Sequence, residues 1–154
     1  MSPYDYNYLK QDCDKALWGD LPKDHDVKGF AEVITTMNQL VFTEPEQFAI
    51  WSCVAAVLLI GQIEFDKMSF NDVESGKPGK IKNEDLVKHI CTLLGMKDWQ
   101  TFAKTLLHSR TKTTRETSWS AISVKRAMDN KDAFAKQLYN NMFDWLVIRM
   151  NTTI

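Results

Sequence analysis

From Asp26 onward, Val27, Phe30, Val33, Ile34, Met37, Leu40 and Val41 recur at intervals of three and four. That spacing lines one face of a helix and predicts about four turns of it. Before it, residues 3–25 mix Tyr4, Tyr6, Tyr8 and Trp18 with Gly19, Pro22 and several aspartates, without a sustained period, and read as loop-rich. After it, Thr43-Glu44-Pro45-Glu46 is a helix start. The Thr43 hydroxyl can accept a backbone N–H while Glu46 reaches back, and Pro45 suits a first turn, where its missing donor costs little. The helix so opened runs to about Ile60, is apolar on most sides and belongs in the middle of the fold, with Gly61 ending it.

Ile63-Glu64-Phe65 alternates as a short strand does. Lys67 to Lys82 contains Ser75-Gly76-Lys77-Pro78-Gly79-Lys80, the composition of a loop, and predicts an exposed insertion. Asn83 is expected to cap a short helix ending at Gly95, and Asp98 another running to about Arg110, both amphipathic. Residues 109–122 are rich in Ser and Thr, carry Arg110, Lys112, Arg115 and Glu116, and read as a polar surface loop. Ser123 then caps a last helix reaching the terminus. In it Ala127, Phe134, Leu138, Met142 and Trp145 form one stripe, which Ala135, Tyr139, Leu146 and Met150 widen, so partners are expected on two sides. The chain is therefore read as mainly α, a single helical piece with one short strand or hairpin, and no internal repeat argues otherwise.

With 154 residues one domain can bury a usable core. A net charge of -1 gives no reason to expect nucleic acid as a partner. Cys13, Cys53 and Cys91 are odd in number and far apart, without a C-x-x-C pair, which favours reduced thiols and a cytoplasmic setting over disulfides or a cysteine zinc site. The start Met1-Ser2-Pro3-Tyr4-Asp5 has no basic stretch and no apolar core, so it is not a secretory signal. The apolar run Phe48 to Ile60 falls short of the roughly 18 residues of a membrane span and reads as a buried helix; no membrane span is expected.

Catalytic chemistry finds little to stand on. Gly79-Lys80 invites comparison with a phosphate-binding loop, but Glu74 occupies the place of the first Gly and Ile81 that of the Ser or Thr. His25, His89 and His108 stand alone, without metal-ligand spacing, and no G-x-S-x-G elbow is present. Trp51, Phe134, Phe143 and Trp145 sit at helical spacing in apolar runs and are assigned to packing. No catalytic, cofactor or metal residue is assigned.

The last third of the chain carries a more specific pattern: Asp132-Ala133-Phe134-Ala135-Lys136, Leu138-Tyr139, Phe143, Trp145-Leu146-Val147 and Arg149-Met150-Asn151. In order and spacing it resembles the myosin motor head, where a D-A-L-A-K-like segment leads into L-Y, a Phe, W-(L/I)-V and R-(I/V)-N. Leu58-Leu59-Ile60-Gly61-Gln62-Ile63-Glu64-Phe65 is similar to that family's L-x-x-G-N-I-x-F, Leu93-Leu94-Gly95 to its L-L-G, and the stretch Tyr4 to Leu9 to its D-Y-x-Y-L. Gln62, Lys131, Phe134 and Met150 depart from the usual residues and mark a divergent member.

The resemblance implies a fragment of the P-loop myosin motor fold, covering most of the upper fifty-kilodalton subdomain. It implies an actin filament and the remaining parts of the motor head as partners, a cytoskeletal location, and Mg-ATP as cofactor of the intact parent. Residues 109–122 match the family's actin-contacting cardiomyopathy loop, and its regulatory position, sixteen residues before Asp132, falls on Glu116. A carboxylate there can complement basic groups across a contact, where Ser or Thr would need phosphorylation. Arg110, Lys112, Arg115 and Glu116 are thus expected to bind actin, with Lys77, Lys80 and Lys82 of the family's fourth surface loop. The Walker A loop and both nucleotide switches are missing from these 154 residues, so no ATP hydrolysis is expected of this piece alone. The alternative is a free-standing helical actin-binding adaptor; an isolated fragment is expected to expose apolar patches and aggregate, which an adaptor would not.

Overall fold

The computed structural model describes residues 5–10, 24–66, 79–112 and 116–152. Local capping chemistry places its helices. Helix α1, His25–Gln39, ends where the Val41 and Phe42 N–H groups turn back to the Asn38 and Met37 carbonyls. This is a Schellman stop with Val41 at φ +56, a left-handed position that normally costs a β-branched residue about 1–2 kcal/mol. Val41 therefore leaves the helical face on which its spacing had placed it. Helix α2, Glu44–Ile60, opens with the anticipated capping box: the Glu46 N–H donates to the Thr43 hydroxyl, and the Thr43 N–H to the Glu46 carboxylate at 2.7 Å.

Helix α3, Glu84–Leu93, stops in a second Schellman turn at Gly95, where φ is +66 and glycine carries no Cβ penalty. Asn83 precedes α3 but does not cap it. Its side chain instead accepts from the Glu64 N–H and donates to the Gln62 carbonyl, because the chain at Gln62–Glu64 lies close enough to compete. Helix α4, Trp99–Leu107, is capped by Asp98, whose carboxylate accepts from the Thr101 N–H. It ends three residues before the expected Arg110, since His108 turns extended and starts strand β1, His108–Lys112. Strand β2, Thr117–Ala121, pairs with it antiparallel, so the segment read as a loop is a hairpin. Helix α5, Val124–Asn151, follows, capped by the Ser123 hydroxyl.

Helix α5 spans 28 residues, roughly 40 Å, and α2 and α4 pack along it, with α3 bridging α2 and α4. Ala56 and Ile60 of α2, Val87 and Ile90 of α3, Phe102 and Leu106 of α4, and Ala127 and Ala135 of α5 form one buried cluster. Phe65 and Ile81 close its floor as an antiparallel bridge, so the end of the expected insertion is buried at Gly79 and Ile81; residues 67–78 lie outside the described residues. The mainly helical architecture with one hairpin agrees with the sequence reading.

Burial is more one-sided than the apolar patterns suggested. Helix α1 buries none of its residues, and Phe48 in α2 is 72% exposed, because no further layer among the described residues lies over them. Phe134 packs on Phe102 with ring centroids 5.1 Å apart and Trp51 on Phe30 at 4.9 Å, but Phe143 and Trp145, assigned to packing, are 53% and 41% exposed. Between α2 and α5 lies an apolar cleft of about 440 Å³ lined by Ala49, Ile50, Cys53, Leu138, Met142 and Trp145.

Two polar ties join distant parts of the chain. At one end, the Tyr8 hydroxyl donates to Asp132 at 2.6 Å, Asn7 donates to Gln62 and Gly61, and buried Lys131 donates to the Gly61 carbonyl at 3.3 Å. Burial, and then the Asp132 carboxylate, pushes the Tyr8 phenol well above its usual range. Gly61 is needed here for space rather than backbone freedom: a Cβ would meet the Tyr8 ring at 2.8 Å. At the other end, Arg149 donates to Glu46 at 2.8 Å and to the Val41 carbonyl at 2.9 Å, holding the α1–α2 corner against α5.

The Arg149 guanidinium, followed by the Thr43 N–H, holds the Glu46 carboxyl down to about 2, from an ordinary 4.5. A depressed folded-state value means the tie contributes fully above about pH 4.5 and is lost as pH falls toward 2. Urea unfolding at a series of pH values is expected to show stability falling more gently across this window in Glu46→Gln than in the parent. Equal slopes would show that the pair contributes nothing.

Candidate functional site

The hairpin is built from residues suited to strands, Thr111, Thr117 and Trp119, between two anchors in the core. Leu106 is buried before β1 and Ile122 after β2, and the Ile122 N–H donates to the Leu107 carbonyl at 3.1 Å. The stem is thus fixed to α4 while the strands run out into solvent, with Arg110, Thr111, Lys112 and Glu116 to Ser118 exposed. In the register His108↔Ala121, Arg110↔Trp119 and Lys112↔Thr117, side-chain alternation sorts the hairpin into two faces. One carries His108, Arg110, Lys112, Thr117, Trp119 and Ala121. The other carries only hydroxyl residues: Ser109, Thr111, Ser118 and Ser120.

On the first face two cations approach the Trp119 ring. The Arg110 guanidinium carbon is 5.8 Å from its centroid, and the Lys104 ammonium, reaching over from α4, is 4.8 Å away. Glu116 stands exposed at the entry to β2, beside the Lys112↔Thr117 pair. The arrangement offers charges of both signs on a two-stranded arm.

Of the residues predicted to bind a filament, Arg110, Lys112 and Glu116 share this hairpin. Lys80 and Lys82 lie elsewhere, flanking buried Ile81, with the Lys82 ammonium 3.8 Å from the Glu64 carboxylate. Arg115 and Lys77 lie outside the described residues. Lys104 and Trp119 are two site residues that sequence reasoning assigns no role. Alternation in Arg110-Thr111-Lys112 and Thr117-Ser118-Trp119 was the available signal for strands; Lys104 left none, because only the packing of α4 beside the hairpin brings it to the ring.

At Gly79–Lys82 the Lys82 N–H donates to the Glu64 carbonyl and the Lys80 carbonyl accepts from Asp66, so this backbone pairs with its neighbour instead of forming a phosphate cradle. Among the described residues no three His, Cys, Asp or Glu side chains gather as a metal site, and no helix is long and apolar enough to cross a membrane. Cys53 and Cys91 are free thiols that burial pushes above their usual range, toward the unreactive protonated form; Cys13 is outside the described residues.

Comparison with known proteins agrees with the blocks read from the chain. The family model for the myosin head (motor domain) matches residues 1–154. The chain is 33% identical over 150 residues to unconventional myosin-Ib of Rattus norvegicus, covering 97% of this chain and 12% of that protein. It is 34% identical over 154 residues to the myosin-I heavy chain of Dictyostelium discoideum, covering 99% and 6%, and 32% identical over 152 residues to myosin-6 of Arabidopsis thaliana, covering 99% and 10%. The chain thus spans between 6% and 12% of the length of these relatives. With the family model covering every residue and the motif blocks in their expected order, the chain belongs to the myosin head (motor domain) family.

Proposed function

We propose that these residues are part of the head of an actin-based, ATP-driven motor, and that the β1–β2 hairpin is one of its contacts with the actin filament. The observation that carries this reading is the hairpin itself: a polar arm fixed at its stem, with Arg110 and Lys112 on one strand and Glu116 exposed at the start of the other. Exposed charges of this kind add little to affinity one by one, but they steer encounter and set register, and salt screens them over about 8–10 Å. Glu116 supplies a permanent negative charge that meets basic groups of the filament, so the contact needs no phosphorylation. Lys80 and Lys82 contribute from a separate surface.

Mg-ATP belongs to the intact motor in this proposal, and these residues do not hold it; alone they carry filament contact and packing without ATP hydrolysis. The remaining parts of the head are the proposed occupants of the α2–α5 cleft and of the uncovered apolar face of α1, and the motor works on the cytoskeleton. Placing Val27, Phe30 and Phe48 in water, as the isolated piece does, favours aggregation.

The test is Glu116→Lys in the full-length polypeptide carrying these residues, read by co-sedimentation with actin filaments and by actin-activated ATP hydrolysis. The expected result is an apparent actin affinity about tenfold weaker, equivalent to about 1.4 kcal/mol, with the loss growing at low salt. Unchanged affinity and activation would remove the filament role from the hairpin.

A further inference from the structure

We infer that Trp119 is a positioning residue: its indole holds the Lys104 ammonium and the Arg110 guanidinium as a paired cation site that receives carboxylates of an acidic protein surface. The inference rests on reading the hairpin as a filament contact, and adds to it which face engages and what chemistry it meets.

Three observations carry it. The first is the shared ring: two like charges lie within 6 Å of one indole centroid, 4.8 Å for Lys104 and 5.8 Å for Arg110. The electron-rich indole attracts each of them without neutralising its charge. The second is the lack of a neutralising acid: among the described residues neither Lys104 nor Arg110 pairs with a carboxylate, as is also true of exposed cations such as Lys97 and Lys125, so both charges are available to an incoming anion. The third is rigidity. Trp119 is half-buried opposite Arg110 in the hairpin register, and Lys104 springs from α4 between the buried residues Phe102 and Leu106, so both sides of the site are tied to the core.

Long Lys and Arg side chains ordinarily lose much rotamer freedom on binding, and stacking them on a fixed ring removes part of that cost beforehand. A fitting partner presents carboxylates toward the stem, beside Trp119.

The full-length polypeptide carrying these residues, co-sedimented with actin filaments over a range of KCl concentrations, tests this through Trp119→Phe, Trp119→Leu, Lys104→Gln and Arg110→Gln. Phe keeps a ring face and is expected to bind within about twofold of the parent. Leu keeps apolar bulk without a ring face and is expected to bind about fivefold more weakly, with a shallower dependence on salt, as is Lys104→Gln. Parent-like affinity and salt dependence in Trp119→Leu or Lys104→Gln, beside a loss in Arg110→Gln, would overturn the paired site and leave the hairpin contact standing. Equal losses in Phe and Leu would also overturn it, since bulk or fold rather than the ring face would then be at work. If neither these variants nor Glu116→Lys changes binding, the hairpin reading itself falls. Lys104→Gln, on an exposed position of α4, decides the matter even if a Trp119 variant fails to fold.

Discussion

Lys131→Glu is expected to destabilise the chain by about 3–5 kcal/mol, the range for leaving a buried charge without its partner. The Lys131 side chain is 8% exposed, and its ammonium lies 3.3 Å from the Gly61 carbonyl and 3.4 Å from the Asp132 carboxylate. A carboxylate introduced here faces a second carboxylate and a carbonyl oxygen, and the donors nearby, the Asn7 amide and the Tyr8 hydroxyl, are already engaged. The damage spreads, because Asp132 also accepts from Tyr8 and so holds residues 5–10 on the fold. The introduced carboxyl titrates higher folded than unfolded, so the deficit shrinks as pH falls and the group protonates. Lys131→Met keeps most of the aliphatic stem and leaves the Gly61 carbonyl its bond from Asn7, so about 1 kcal/mol is expected. Denaturant unfolding followed by far-ultraviolet circular dichroism separates the two. Similar losses for Glu and Met would mean that the ammonium is not held where its contacts place it.

Ile60→Ala is expected to cost about 3 kcal/mol and to lower the thermal midpoint by roughly 10 °C. Ile60 is wholly buried where α2 ends, in the cluster shared with Val87, Ile90 and Ala127. The loss combines the removed methylenes with the cavity left behind, and that cavity closes poorly: the following residue, Gly61, is pinned under the Tyr8 ring and bonded through its carbonyl to Asn7 and Lys131. Leu58, on the half-exposed side of the same helix, is the control, and its truncation is expected to cost no more than about half as much. Equal costs at the two positions would contradict the packing at the end of α2.

How far the sequence could be read depended on the span of each interaction. The Thr43 box, the Asp98 and Ser123 caps and the stop at Gly95 each close between residues a few positions apart, so residue types alone announce them. The apolar face of α1 was legible for the same reason, while its exposure was not: periodicity says which side is apolar, and only a partner layer decides whether that side is buried. In the candidate site, Arg110, Lys112 and Glu116 were legible through ordered family blocks rather than through any local pattern. Their strands were not, because charged residues on one face and hydroxyl residues on the other leave little alternation of apolar with polar residues.

By itself, then, the sequence determined the helices, the ends set by Thr43, Gly95, Asp98 and Ser123, the mainly α class and membership of the myosin head family, through local hydrogen bonding and ordered motifs. The tertiary structure alone decided what meets across long loops. It drew the Asn83 side chain from its helix end to the chain at Gln62–Glu64, buried Lys131 on a carbonyl 70 residues away, and joined Arg149 to Glu46 across 103 residues. It also brought Lys104 to the ring of Trp119. Such contacts form only after the backbone elements have closed their loops and packed, and no spacing along the chain encodes the distance between two side chains on different elements.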